Sequence, residues 1–159
     1  MIIRAKKSLG QHWLADQAVL ATIITAANLK AGELVLEIGP GEGFLTETLL
    51  QTGARVIAVE KDNRLISFLA TKFEKEITEQ QLEIIHADIL DLLQTKKLMK
   101  LPASPAGGQA NSYKLIANIP YYLTGQIIRQ FLTTQNQPNS MTLMLQKEVA
   151  ERIVAKDGR

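Results

Sequence analysis

Apolar positions along the 159-residue chain follow two alternating rhythms. Short apolar runs recur at Leu34-Val-Leu36, Arg55-Val-Ile-Ala-Val59, Leu82 to Ile85, Lys114-Leu-Ile-Ala117 and Met141-Thr-Leu-Met-Leu145. They are too brief for helices and read as buried strands. Between them lie segments with helical spacing. Val19, Leu20, Ile23, Ile24 and Ala27 follow a candidate N-cap at Asp16, and 28–32 ends that helix. The run 44–51 is ended by Gly53, and Leu65, Phe68, Leu69 and Phe73 follow a second cap at Asp62. A short helical stretch runs through Leu93, another at 126–133 carries Ile127, Ile128, Phe131 and Leu132, and a last one spans 146–156. Five strands alternating with helices predict an α/β fold with a parallel sheet and right-handed crossovers. Residues 94–112 hold Lys96, Lys97, Lys100, Pro102, Ser104, Pro105, Gly107 and Gly108. They read as a surface loop, because the apolar rhythm resumes directly afterwards.

Composition adds limits. A hydrophobic fraction of 46% and a charged fraction of 21% describe a globular chain with a real core, and the length predicts one domain over 1–159. A net charge of +2 permits a nucleic-acid partner without demanding one. The absence of cysteine excludes disulfides, thiol nucleophiles and thiolate metal sites, and fits a cytoplasmic setting. His12 and His86 stand far apart with no ligand spacing, so no metal site is expected. No apolar run approaches the ~20 residues of a membrane span, and the N-terminus lacks the features of a secretory signal. No membrane partner is expected.

Candidate chemistry gathers where strands end. The stretch Glu37-Ile-Gly39-Pro-Gly41-Glu-Gly43 follows the first strand and opens a helix, as at a nucleotide-binding βα turn. Its Gly-x-Gly-x-Gly spacing is tighter than the dinucleotide pattern, and Glu37 and Glu42 bring negative charge that would repel a diphosphate. Glu60 ends the second strand and suits ribose hydroxyls; Asp88 follows the third and suits an adenine amino group. A ligand with adenine, ribose, positive charge and no phosphate is S-adenosylmethionine. Each acid is separately explained as a surface carboxylate or cap; two at successive strand ends beside this loop favour the ligand role.

Asn118-Ile-Pro120-Tyr121 closes the fourth strand. The Asn118 carbonyl and a backbone carbonyl near Pro120 can accept the two hydrogens of a planar amine, and Tyr121 offers a stacking face, with Tyr122 as a second candidate. The alternative is a strand ending in a proline turn. Upstream, Arg4, Lys6 and Lys7 precede Gly10-Gln11-His12-Trp13-Leu14. This segment is either a frayed terminus or an arm that touches phosphates while Gln11, His12 and Leu14 close over a ligand; the sole Trp favours order.

Taken together, the chain resembles the rRNA adenine N6,N6-dimethyltransferases of the small subunit. The resemblance rests on Lys7-Ser-Leu-Gly-Gln-His-Trp-Leu14, Leu36-Glu-Ile-Gly-Pro-Gly-Glu-Gly-Phe-Leu-Thr46, Val59-Glu60, Ala87-Asp88, Asn118-Ile-Pro-Tyr121 and Gln146-Lys-Glu-Val-Ala-Glu-Arg152. It implies a Rossmann-like class I methyltransferase sheet of seven strands, with S-adenosylmethionine as methyl donor and ribosomal RNA of the small ribosomal subunit as partner. The implied cofactor contacts are position 12, Leu14, Gly39, Gly41, Glu60, Asp88 and Asn118. The implied catalytic group is Asn118, Pro120 and Tyr121. The chain departs from the pattern in having His12 where Asn is usual and Trp13 where Phe is usual. The family continues into two further strands and a helical C-terminal domain, so this sheet is expected to be truncated, with an open edge at 141–145 that invites self-association. Two other readings stand beside the enzyme: a non-catalytic RNA-binding or ribosome-assembly module, and a small-molecule methyltransferase.

Overall fold

Aspartates start three of the helices. In the computed structural model, which describes residues 16–95, 112–119 and 121–155 (Tyr121 by its backbone alone), Asp16 Oδ1 accepts the Ala18 and Val19 amides at 2.9 and 3.3 Å. This cap opens α1 (Gln17–Ala27), which ends at Asn28 in the left-handed conformation. Strand β1 (Leu34–Ile38) leads through the glycine turn into α2 (Phe44–Gln51). Then come β2 (Arg55–Glu60), α3 (Asn63–Lys72) capped by Asp62, α4 (Glu74–Thr78), β3 (Leu82–His86) and α5 (Ile89–Gln94) capped by Asp88. Beyond residue 111 follow β4 (Lys114–Asn118), a 3-10 turn at Tyr121–Leu123, α6 (Thr124–Thr133), β5 (Ser140–Met144) and α7 (Lys147–Val154).

All strands pair in parallel, in the order β3-β2-β1-β4-β5. Strand order reverses between β1 and β4, the crevice where α/β sheets of this kind hold ligands at their carboxyl ends. Strand alternation divides the core into two layers. Val35, Val56, Ala58, Leu82 and Ile116 pack with Leu20, Leu45, Leu49, Leu65 and Leu69 of α1, α2 and α3. Leu34, Leu36, Ile38, Ile57, Val59, Leu115 and Ala117 pack with Ile89, Ile127 and Phe131 on the opposite face. Strands β1 and β2 are buried on both faces, which explains their continuous apolar runs.

The structure refines several expectations. Helix α4 is an addition to the expected elements, because Glu74-Lys-Glu-Ile-Thr78 carries no apolar period. Leu132, one of the apolar positions of the helix expected at 126–133, is 55% exposed, while Ile127 and Phe131 are fully buried. At 100° per residue, Leu132 turns away from the sheet that Phe131 contacts. Lys114 opens a buried strand by reaching back to the end of α1, where Nζ donates to the carbonyls of Ala27 (3.2 Å) and Asn28 (2.7 Å) and pairs with Glu33 (2.9 Å). The arm at 1–15 and residues 96–111 of the lysine-rich loop lie outside the described residues.

Candidate functional site

Four of the five strand tips contribute a piece of the candidate site, and sheet order places the pieces in a row: Asp88 beyond β3, Glu60 at the end of β2, the glycine turn after β1 and Asn118 at the end of β4. Adjacent strands lie roughly 4.8 Å apart, so the row spans about 14 Å. Alternation puts Glu37, Glu60 and Asn118 on the same sheet face as Val35, Ala58 and Ile116.

The glycine turn is shaped by backbone bonds. The Gly39 amide donates to Val59 O at 2.9 Å, tying the turn to β2, and the Gly43 amide donates to Pro40 O at 2.9 Å. Gly43 is the residue that caps α2, with φ +80° and no side-chain bond. A Cβ there would lie 2.6 Å from Phe73 Cε2 and 2.9 Å from Cζ, so the third glycine lets α3 approach the turn. Gly39 also has positive φ (+67°), but its missing Cβ faces open space, and the residue is exposed. Glu42 uses its backbone carbonyl, which accepts from Lys72 Nζ at 3.2 Å.

Glu60 is only 5% exposed. Its Oε1 accepts the Asp62 amide at 2.7 Å and its Oε2 the Gly41 amide at 3.3 Å. The carboxylate thus locks the glycine turn to the start of α3. Burial pushes its pKa up, opposed by the amide bonds from Asp62, Gly41 and Lys61. With about four acceptor sites on the two oxygens, the carboxylate keeps capacity for a further donor. Asp62 beside it holds Arg64 through Nη2 at 2.5 Å.

Asp88 has two partners. Oδ1 accepts the Leu90 amide at 2.9 Å, and Oδ2 meets Lys61 Nζ at 2.6 Å. Burial pushes the Asp88 pKa up, but the Lys61 bond and the Leu90 amide outweigh it and hold the carboxyl below the usual range. Asn118 is half-buried, in register with Met144 of β5. The Pro120 position and the Tyr121 side chain lie outside the described residues, as do His12, Trp13 and Leu14. Tyr122, the second stacking candidate, is 57% exposed on the turn after β4.

Two features go beyond the sequence reading. Glu37, taken from the sequence as a source of negative charge, is 1% exposed. Burial, only partly offset by the Thr46 hydroxyl, pushes its pKa up to about 8, with the neighbouring charge of Glu60 adding to the rise. The side chain is therefore mainly protonated at neutral pH, and the expected repulsion of a diphosphate by Glu37 is not supplied. Its Oε2 is bonded to Thr46 Oγ1 at 2.7 Å, while Oε1 is buried without a partner among the described residues. The sequence signal was an acid embedded in an otherwise apolar strand. The second feature is Lys61, overlooked beside Glu60. Among the described residues, no cluster of three or more His, Asp or Glu side chains could hold a metal ion, and no helix is long and apolar enough to cross a membrane.

A sequence-family profile described as ribosomal RNA adenine dimethylase matches residues 2–159. Ribosomal RNA small subunit methyltransferase A of Dehalococcoides mccartyi strain BAV1 is 46% identical over 156 residues, covering 98% of this chain and 50% of its own length. Among solved structures, a dimethyladenosine transferase from Plasmodium falciparum superposes with a TM-score of 0.69 at 31% identity, over 93% of this chain and 48% of that one. The 23S rRNA methyltransferase ErmE gives 0.68 at 28% identity, over 89% and 50%. The chain spans about half the length of the curated relatives it matches.

Proposed function

The chain belongs to the ribosomal RNA adenine dimethylase family, and on that premise we propose that it transfers methyl groups from S-adenosylmethionine to N6 of adenine in small-subunit ribosomal RNA. The observation that carries the reading is the row of strand tips: two acids, a glycine turn and an amide, adjacent in sheet order on one edge.

The residues present fit such a donor. Glu60 would accept from the ribose hydroxyls with the acceptor capacity its amide partners leave. Asp88 would accept the adenine amino group. The open space over Gly39 would admit the ligand close to backbone, and Gly41 holds its partner acid in place. His12 and Leu14 are proposed to close over the ligand from the N-terminal arm. When bound, S-adenosylmethionine supplies an electrophilic methyl group on a sulfonium.

The acceptor amine is a weak nucleophile, because its lone pair is delocalised into the ring. Asn118 and the Pro120 carbonyl would each accept one N–H, favouring a more tetrahedral nitrogen as positive charge develops there. Their contribution is alignment plus a preorganised electrostatic environment. Tyr121 would stack on the base, which has to leave a helical stack or come from a single-stranded loop. The mechanism asks for no strong base. Each transfer would form an N–CH3 bond as the S–CH3 bond breaks, leave S-adenosylhomocysteine and release one N6 proton to water, and two rounds would give dimethyladenosine. The proposed domain is 1–159, acting on the small ribosomal subunit in the cytoplasm.

The test is to incubate the chain with methyl-labelled S-adenosylmethionine and unmodified small subunits. Label should appear on adenine and fall at least about a hundredfold in Asn118→Ala, as for loss of a preorganised transition-state contact. RNA binding without label would favour the non-catalytic module, and label on small molecules without RNA would favour the third reading.

A further inference from the structure

Lys61 follows Glu60 directly, and its Nζ sits 2.6 Å from Asp88 Oδ2. The Asp88 amino-acceptor role proposed above needs that same carboxylate. Oδ1 takes the Leu90 amide that starts α5, so Oδ2, held only by the Lys61 side chain, is the oxygen left for a ligand. An ammonium and an adenine amino group are both donors, and close approach of one opposes the other.

Lys61 is 62% exposed on its side chain, against 22% for Asp88. A long, flexible, exposed side chain can swing into water at small cost, so the pair is a displaceable contact and not a fixed strut. The contact sets Lys61 Nζ at the tip of β3, beside the end of its own strand β2. It therefore occupies the Asp88 end of the row, where the base would sit.

We propose that Lys61 is a specificity-determining residue of the base subsite, a built-in donor that competes with an adenine amino group for Asp88 Oδ2 and that favours a keto oxygen at the same place. The inference rests on the reading of Asp88 above. It has a chemical signature: an adenosyl ligand must displace Lys61, whereas an inosyl ligand, with oxygen in place of the amine, can accept from it. Lys61 thus narrows the preference of the subsite for adenine.

The test is calorimetric titration of the wild-type chain, Lys61→Met and Lys61→Arg with S-adenosylhomocysteine and with its inosyl counterpart. Neither ligand carries a sulfonium, so simple charge repulsion by Lys61 is not what is read. Lys61→Met should bind the adenosyl ligand about two- to fivefold tighter, the range expected for loss of an exposed ion pair. It should bind the inosyl ligand no tighter, or more weakly. Lys61→Arg, which keeps a donor, should stay near wild type for both. Equal tightening for both ligands, or weaker adenosyl binding in Lys61→Met, would overturn the inference and leave the wider function standing. Absence of binding of either ligand by the wild-type chain would overturn the wider function and this inference with it.

Discussion

Replacing Glu37 with glutamine should remove a pH dependence of stability that the wild-type chain carries. The carboxyl is buried under the glycine turn, with Thr46 Oγ1 on one oxygen and no described partner on the other. Its pKa is raised from 4.5 to about 8 in the folded chain. Well below pH 4.5 the group is protonated whether folded or not, and its effect on stability does not change with pH. As pH rises, the unfolded chain ionises first while the folded chain still holds its proton, so stability falls. The fall continues until the folded carboxyl ionises near pH 8 and then levels off. With about 1.4 kcal/mol for each decade of proton affinity, the limit is about 5 kcal/mol, and roughly 3 kcal/mol of it falls between about pH 5 and pH 8. Glu60, also raised by burial, adds a change of the same sign in both proteins. The amide of Glu37→Gln keeps an acceptor for the Thr46 hydroxyl but has no proton to lose. Urea denaturation followed by circular dichroism, from about pH 5 to pH 8, should show the wild type losing stability more steeply than Glu37→Gln. Parallel profiles would refute the reasoning, since they would mean that Glu37 ionises in the folded chain as it does in the unfolded one.

Gly43→Ala should cost about 2–4 kcal/mol in urea denaturation, because a left-handed φ and the Phe73 ring are both opposed to a Cβ there. Gly39→Ala, with open space at its Cβ, should cost only about 1–2 kcal/mol from the backbone. A reversed order would show that the turn relaxes at Gly43. Lys114→Met should lose about 1–2 kcal/mol, since the Ala27 and Asn28 carbonyls and Glu33 lose a shared donor; an unchanged denaturation midpoint would contradict this. We also expect self-association. Strand β5 is one of the two sheet edges among the described residues, and Ile153 and Val154 of α7 are 52% and 75% exposed. Light scattering should give a mass above one chain that falls in the double variant Ile153→Glu, Val154→Glu. A monomer at all concentrations would argue against it.

What was legible in the sequence depended on distance along the chain. Strand runs, the caps at Asp16 and Asp62, and the glycine turn are local signals, and each appears where its pattern placed it. Sheet order was not written in any single segment, yet it is what brings Asp88, Glu60, the turn and Asn118 into one row. Lys61 and Asp88 are separated by 27 residues and meet only because β2 and β3 are neighbours. The protonated state of Glu37 was illegible for a different reason: an acid in a formula is charged, and only complete burial between α2 and the sheet makes it neutral. Leu132 shows the limit of periodicity, since apolar residues at the margin of a helix face can fall on either side of it. Tyr113, also unremarked in the sequence, is fully buried, with its hydroxyl bonded to Asn136 O at 2.8 Å, which fixes the entry to β4 and hence the position of Asn118.

The most direct measurement is calorimetric titration of the 159-residue chain with S-adenosylmethionine, beside Glu60→Ala. The wild type should bind one equivalent, and loss of the carboxylate that would hold both ribose hydroxyls should weaken binding roughly ten- to a hundredfold. Binding that is equally tight in Glu60→Ala, or no heat with the wild type, would contradict the claim that the row of strand tips grips an adenosyl sulfonium.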